Sequence, residues 1–188
     1  MSSRRRGRPG FEQIDNSYKF MLISEEKPYN IPVKEHVMIR LSTKGRYGTR
    51  LMLNLAQHYD NGNGHKAVIL KNISDDERIS IRYLEQIIIP LKINRLVKSI
   101  RGAGGGYILA RKPEDIRLSE ILHALEGNCC LVECVEDESF CEFIETCPTF
   151  PIWKNATEIL KGYFDSLTLK DIVGMAEKKS KQGKTKAR

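Results

Sequence analysis

All five cysteines of the chain fall between positions 129 and 147, as Cys129, Cys130, Cys134, Cys141 and Cys147. An odd number of thiols packed into one window argues against a disulfide framework and for metal ligation or redox chemistry in a reducing compartment. Six residues separate Cys134 from Cys141 and five separate Cys141 from Cys147, a spacing loose enough for a loop to wrap an inorganic centre. Thiolates are the favoured ligands of iron–sulfur units, and zinc competes for similar sites. A structural zinc loop is therefore a second use of the same three residues. Cys129 and Cys130 sit at the end of a helical pattern and read as structural thiols. His36, His58, His65 and His123 are scattered without partners, so no catalytic constellation is visible and an enzyme is not expected.

The charge along the chain is as uneven as the cysteines. Residues 38–125 carry +7, residues 126–147 carry −7 without a single Lys or Arg, and the two termini, 1–10 and 177–188, carry +4 and +5. A polyanion should meet the first block and avoid the cysteine-bearing one. The basic ends read as solvated tails. No run of about 18 apolar residues is present, as a membrane-spanning helix would need, and the N-terminus lacks an apolar leader. A cytoplasmic protein with no membrane partner is expected. With 188 residues and 40% hydrophobic content, one well-buried domain with a small appendage is the expected size class.

The elements that must position these groups follow from periodicity. Tyr47, Leu51, Leu55 and Tyr59 recur every fourth residue, with Met52 and Ala56 widening the stripe, which predicts an amphipathic helix. Asn61 to Gly64 break the chain, and Val68 to Ile73 lead into a second short helix ending near Glu77. Ser80 is the expected N-cap of a third helix with Leu84, Ile88 and Leu91 on one face, which Pro90 should disturb or end. Leu96–Ile100 and Tyr107–Ala110 read as two strands around the glycine-rich turn Arg101–Gly106. Ser119 is the expected cap of a further helix stopped by Gly127. Pro151 suits the first turn of a longer helix in which Trp153, Ala156, Leu160, Tyr163 and Leu167 form a seam that wants a partner helix. Thr168 with Asp171 should start one last short turn, followed from Glu177 by an unstructured tail.

Three helices followed by a hairpin is the order of a winged helix-turn-helix, so the expected fold is mainly α with a small β-hairpin wing, plus a long dimerisation helix. The third helix of such a head enters the major groove of duplex DNA, about 12 Å wide, while the wing touches the flanking minor groove or backbone. Ser80, Arg82, Tyr83, Glu85 and Gln86 are the candidates for base edges or phosphates. Arg101 sits at the wing tip, where a narrow minor groove favours a cation. Arg40, Lys44 and Arg46 precede the first helix and are candidates for backbone positioning. The glycines at 102, 104, 105 and 106 lie between two strands rather than before a helix, so they read as a tight turn and not as a phosphate loop.

The stretches Ile39 to Tyr47 (IRLSTKGRY), Ile79 to Gln86 (ISIRYLEQ) and Val97 to Tyr107 (VKSIRGAGGGY), together with the cysteine loop, closely resemble the IscR and NsrR family of bacterial iron–sulfur regulators from about Met38 to Val173. The resemblance implies a homodimer that regulates transcription at a DNA operator, with Cys134, Cys141 and Cys147 ligating an iron–sulfur cluster of the 2Fe–2S type, a 4Fe–4S cluster being the alternative. The first cysteine interval is one residue longer than in IscR. One branch of the family supplies a fourth ligand where this chain has Phe150 and another where it has Arg46, so the fourth ligand does not carry over. Relatives of the CymR kind bind DNA without a cluster, which leaves a cluster-free regulator of cysteine metabolism as the alternative; a small iron–sulfur redox protein is the rival from another class. Arg78 stands in the turn where IscR has glycine, a cost of about 1 kcal/mol if that turn is left-handed.

The expected organisation is an N-terminal extension over 1–37 without regular structure, a DNA-binding domain over 38–127, a cluster loop over 128–150, a dimerisation helix with its last turn over 151–174, and a basic tail over 175–188. Met38 opens the patterned segment and could be the start of translation. The Arg-Gly-Arg-Pro stretch from Arg6 resembles a minor-groove AT-hook, a match short enough to arise by chance.

Overall fold

The computed structural model describes residues 41–59 and 66–186, all within one compact unit spanning 39–188. The 1–37 extension, its Arg-Gly-Arg-Pro stretch, Arg40 and the Asn61–Gly64 break lie outside the described residues. Helix α1 (Thr43–Gln57) starts at Ser42, whose hydroxyl accepts the Gly45 N–H. Glu126, 81 positions later, accepts the same N–H at 2.8 Å and the Ser42 hydroxyl at 2.5 Å. Helix α2 (Leu70–Glu77) ends at Arg78, which is left-handed at φ 53 and ψ 44. This is the turn geometry whose cost the sequence foreshadows, and it favours glycine over any residue with a Cβ. Helix α3 (Ile81–Ile93) is capped by Ser80, whose hydroxyl accepts the Tyr83 N–H.

Pro90 does not end α3; it lies inside it, three residues before the helix stops. Its missing N–H leaves one carbonyl of the preceding turn without its donor, and burial of Ile87, Ile88 and Leu91 around it keeps the helix together. Strands β1 (Val97–Ile100) and β2 (Gly106–Leu109) pair antiparallel, with Val97 opposite Leu109 and Ile100 opposite Gly106. The hairpin is extended from outside by an isolated bridge, in which Val68 exchanges both backbone hydrogen bonds with Tyr107 at 3.0 and 2.8 Å. Gly106 has no side chain because a Cβ there would strike the Val68 carbonyl.

After a 3-10 turn at Pro113–Asp115 comes α4 (Leu118–Glu126). Its N-cap is Arg117, not Ser119, and the Glu120 carboxylate accepts the Arg117 N–H at 3.0 Å. Ser119 is left free to donate to the Asp165 carboxylate, which is why it fits the sequence pattern of a cap without acting as one. The cysteine loop contains only the single turn α5 (Glu133–Glu136) and a 3-10 turn at Glu138–Phe140. Helix α6 (Phe150–Ser166) follows with Pro151 in its first turn. The final element is not a short turn with a loose tail. Helix α7 runs 18 residues, Leu169–Lys186. Packing of Leu169 at the core anchors its start, and the Glu, Lys and Gln residues between Glu177 and Gln182, good helix formers, extend it at little cost.

The core gathers Leu51, Met52 and Leu55 of α1, Ile73 of α2, Leu84, Ile87, Ile88 and Leu91 of α3, Leu109 of β2, Ile121 and Leu125 of α4, and Leu169 of α7. Gly48 lets α1 approach Leu125 and Ile87 more closely than any Cβ would permit. The chain between α6 and α7 is stitched to the chain before α4: Leu118 N–H donates to Leu167 O at 2.9 Å and Leu169 N–H to Ile116 O at 2.8 Å. Leu84→Ala empties a site with no solvent exposure and should lower unfolding free energy by about 2–5 kcal/mol. Arg82→Ala, exposed on the same helix, should change it by less than about 0.5 kcal/mol; paired urea titrations check the contrast.

Candidate nucleic-acid interface and cysteine loop

With Leu84, Ile87, Ile88 and Leu91 buried, the opposite flank of α3 presents Arg82, Glu85 and Gln86 to solvent in one stripe. Three of the residues expected to read DNA are thus on one exposed surface. Ser80 opens that surface, but its hydroxyl oxygen already serves the helix cap, leaving its proton to donate. Tyr83 is half-buried and meets Tyr47 edge-to-face, with ring centroids 5.8 Å apart and planes at 89°. It braces α3 against α1 and offers only part of its ring and hydroxyl outward.

Lys44 and Arg46 lie in the first turn of α1 on either side of the capped Gly45. Arg46 is exposed, bonds the Thr43 hydroxyl at 3.3 Å and lies 6.0 Å from the Tyr47 ring centre. Arg50, which sequence reasoning missed, reaches from α1 to the carboxylate and carbonyl of Glu77 at 2.8 and 2.6 Å while covering Tyr47. Its position one turn beyond Arg46 was the available signal. Arg101 is exposed in the hairpin turn, where Gly102 and Gly104 take φ values of 100 and 85 that suit glycine. The structure thus presents a polar helix flank, a cationic helix start and a flexible-backbone hairpin tip on one helical head.

The loop residues are tied to α6 at three places. Leu131 N–H donates to the buried Thr157 hydroxyl, Lys161 Nζ approaches Cys130 Sγ at 3.4 Å, and Lys154 pairs with Glu138 at 3.5 Å. Cys134, Cys141 and Cys147 are free, partly exposed thiols. Their chemistry suits an iron–sulfur unit, but their positions do not: among the described residues no three Cys, His, Asp or Glu side chains come together as a metal site. Neither Phe150 nor Arg46 supplies a further donor atom suited to iron.

The thiols also differ electrostatically. Hydrogen bonds from the Thr149 hydroxyl, 3.3 Å from the sulfur, and from the Thr149 and Phe150 backbone hold the Cys147 thiol below the usual range. Burial pushes the Cys129 thiol up, the Glu126 carboxylate adds to the rise, and Lys161 opposes it. Cys129 lines a small cavity of about 150 Å³ with His123, Lys161 and Asp165.

On α6, the expected seam residues Trp153, Ala156, Leu160 and Tyr163 recur at three- and four-residue steps along one side of the helix, and Leu167 lies just past its end, where the backbone is extended. Trp153 and Tyr163 are 38% and 49% exposed, whereas Ala156, Leu160 and Leu167 are partly covered. Ile152 and Ile159, at 57% and 69% exposure, join Tyr163 in a bare apolar stripe that the heptad reading passed over. A seven-residue step from Ile152 to Ile159 was the signal for them.

Among the described residues no helix is long and apolar enough to cross a membrane. Residues 41–175 match the family model Rrf2, described as an iron-dependent transcriptional regulator. The chain is 37% identical over 139 residues to the HTH-type transcriptional regulator CymR of Bacillus subtilis, covering 74% of this chain and 93% of that one. The solved structure of the same protein, the global cysteine regulator of B. subtilis, superposes with a TM-score of 0.60 over 73% of this chain and 98% of that one. The T. potens IscR structure is 38% identical with a TM-score of 0.60, covering 74% of this chain and 90% of that one.

Alkylation follows the thiolate fraction, and a thiol whose proton leaves at lower pH has more thiolate at any pH below its midpoint. In metal-free protein, Cys147 should therefore label ahead of Cys129 near neutral pH. Thr149→Ala should slow Cys147 and move its pH midpoint upward, read by mass spectrometry of iodoacetamide-treated peptides.

Proposed function

Because this chain belongs to the Rrf2 family of transcriptional regulators, we propose that it acts in the cytoplasm as a homodimer on duplex DNA operators, placing α3 in the major groove. The observation that carries this reading is the α3 flank of Arg82, Glu85 and Gln86, held out by a buried apolar face and braced to the cationic start of α1 through Tyr47 and Tyr83. Arg82 and Gln86 read base edges; Ser80, Tyr83 and Glu85 flank them. Lys44, Arg46 and Arg40 position the phosphates, and Arg101 enters the minor groove. Two heads related by a dyad call for half-sites about one helical turn apart.

Dimerisation is assigned to α6. The bare stripe of Ile152, Ile159 and Tyr163, next to Trp153, Ala156, Leu160 and Leu167, supports a helix that lies against its dyad mate. The cysteine loop follows α4 directly in the chain and is tied to α6, so a rearrangement of the loop bears on the dimer helix and on the end of α4.

The finer reading is that Cys134, Cys141 and Cys147 ligate an iron–sulfur cluster, of 2Fe–2S type rather than 4Fe–4S, and that operator binding reports its presence. Three thiols in one acidic loop support it, as does the similarity to IscR. A second reading, a cluster-free regulator of cysteine metabolism, is favoured by the failure of those thiols to converge and by the equal similarity to the global cysteine regulator.

The two readings part in one comparison. Anaerobically purified protein and a Cys134→Ala, Cys141→Ala, Cys147→Ala triple variant are assayed on the same operator at fixed salt, with iron counts and absorption spectra. A sensor changes affinity about 5- to 150-fold on losing iron; equal affinities and no iron leave the cluster-free regulator. Arg82→Ala should cost about 1–3 kcal/mol of operator binding and relax the preference at one base pair. Lys44→Ala should weaken all sequences alike and lower the salt slope by about one. For the dimer, Ile159→Lys should shift the protein to monomer in sedimentation, with the far-ultraviolet spectrum of the head retained.

A further inference from the structure

Arg78 occupies a backbone position that disfavours it, and its side chain has no bonding partner among the described residues. Its φ of 53 and ψ of 44 lie in the left-handed region, where a Cβ crowds the following carbonyl and glycine is the easier residue. The turn is not free to relax. The Arg78 and Ile79 N–H groups both donate to Ser74 O, the Ser74 hydroxyl donates to Ile79 O at 2.6 Å, and the Ile79 side chain is buried. The side chain of Arg78 is exposed, and no hydrogen bond, ion pair or ring contact holds it among the described residues. Arg50, in contrast, spends its charge on Glu77.

The turn joins α2 to α3 and stands two residues before Ser80, at the end of α3 that leads into the groove. The local charge there is unfavourable to DNA: Asp75, Asp76 and Glu77 close α2 immediately upstream. Arg50 binds Glu77, and Asn54 binds Asp76 at 3.2 Å, which leaves Asp75 facing solvent. We propose that Arg78 is a further DNA-contacting residue, a cation held in a glycine-type turn so that it meets a backbone phosphate beside the α3 N-terminus and offsets the acidic end of α2. This rests on the DNA-binding reading and adds to it a contact that the helix pattern alone does not mark. The strained backbone is then kept for the complex, since no side-chain contact of Arg78 among the described residues offsets it.

The test separates a structural arginine from a functional one by sign. Arg78→Gly and Arg78→Asn both suit a left-handed turn and both remove the charge. Each should melt at or above the wild-type temperature while losing about tenfold or more in operator affinity near 0.1 M salt, with the slope of log affinity against log salt falling by about 0.9 per protomer. Arg95→Gly is the control. Arg95 has the same left-handed conformation, at φ 56, and stands at the far end of α3, so its loss should leave affinity and slope near wild type.

Full affinity and slope in the Arg78 variants overturn the assignment. Equal losses at Arg78 and Arg95 overturn it too, by reducing the effect to net charge, and a lower melting temperature in Arg78→Gly makes the residue structural. If wild-type protein binds no duplex at low salt, the DNA-binding reading falls and takes this contact with it; wild-type binding with unaltered variants removes the contact alone.

Discussion

The outward chemistry of this molecule is set by the burial of one face of α3. Leu84, Ile87 and Leu91 are wholly removed from solvent, and Ile88 nearly so, against α1, α2 and α4. Burying a large aliphatic side chain is worth about 1.5–3 kcal/mol, so rotation of the helix about its axis would forfeit several such terms together. A helix that cannot rotate presents the same three polar side chains to whatever lies in front of it. Close approach by α1 depends on Gly48, and the angle between α1 and α3 is held further by the Tyr47–Tyr83 pair.

A second set of contacts connects this head to the rest of the chain. Glu126 closes α4 and at the same time caps α1 through Gly45 and Ser42, so the residue that leads into the cysteine loop also holds the turn bearing Lys44 and Arg46. From the other side, Arg117 and Ser119 grip Asp165 at the end of α6. The loop between these anchors is short of secondary structure and holds to α6 through single hydrogen bonds and one exposed ion pair. Such links are individually weak. The acidic segment thus lies between the packed α4 and the largely exposed α6 and holds to α6 mainly through exposed, individually weak links.

Much of this was written in local pattern. The three head helices, the hairpin and the α6 helix each carry their own period or turn residues, and those signals survive without knowledge of the tertiary structure. What could not be read was decided by partners distant in sequence. Ser119 has the residue type of a cap, yet Asp165 claims its hydroxyl. Pro90 has the residue type of a helix breaker, yet the packing on both sides of it outweighs one lost hydrogen bond. The length of α7 depends on Leu169 reaching a core built from α1, α3 and α4, much earlier in the chain. On α6, composition revealed an apolar helix, but only the packing of Thr157 and Leu131 shows which side is spent inside the protomer and which is left bare. The three thiols were readable as ligand types, while their separation in space depends on the loop path.

The antiparallel bridge between Arg117 and Thr168, with Leu169 seated in the core behind it, bears on how the chain is made. Synthesis proceeds from the N-terminus, and early segments ordinarily begin to fold before later ones emerge. Here the DNA-reading head, complete in sequence by about Glu126, lacks one of its core side chains until Leu169 has left the ribosome. The acidic loop and α6 must emerge first, so a nascent chain completes the core of this head only after both segments already exist.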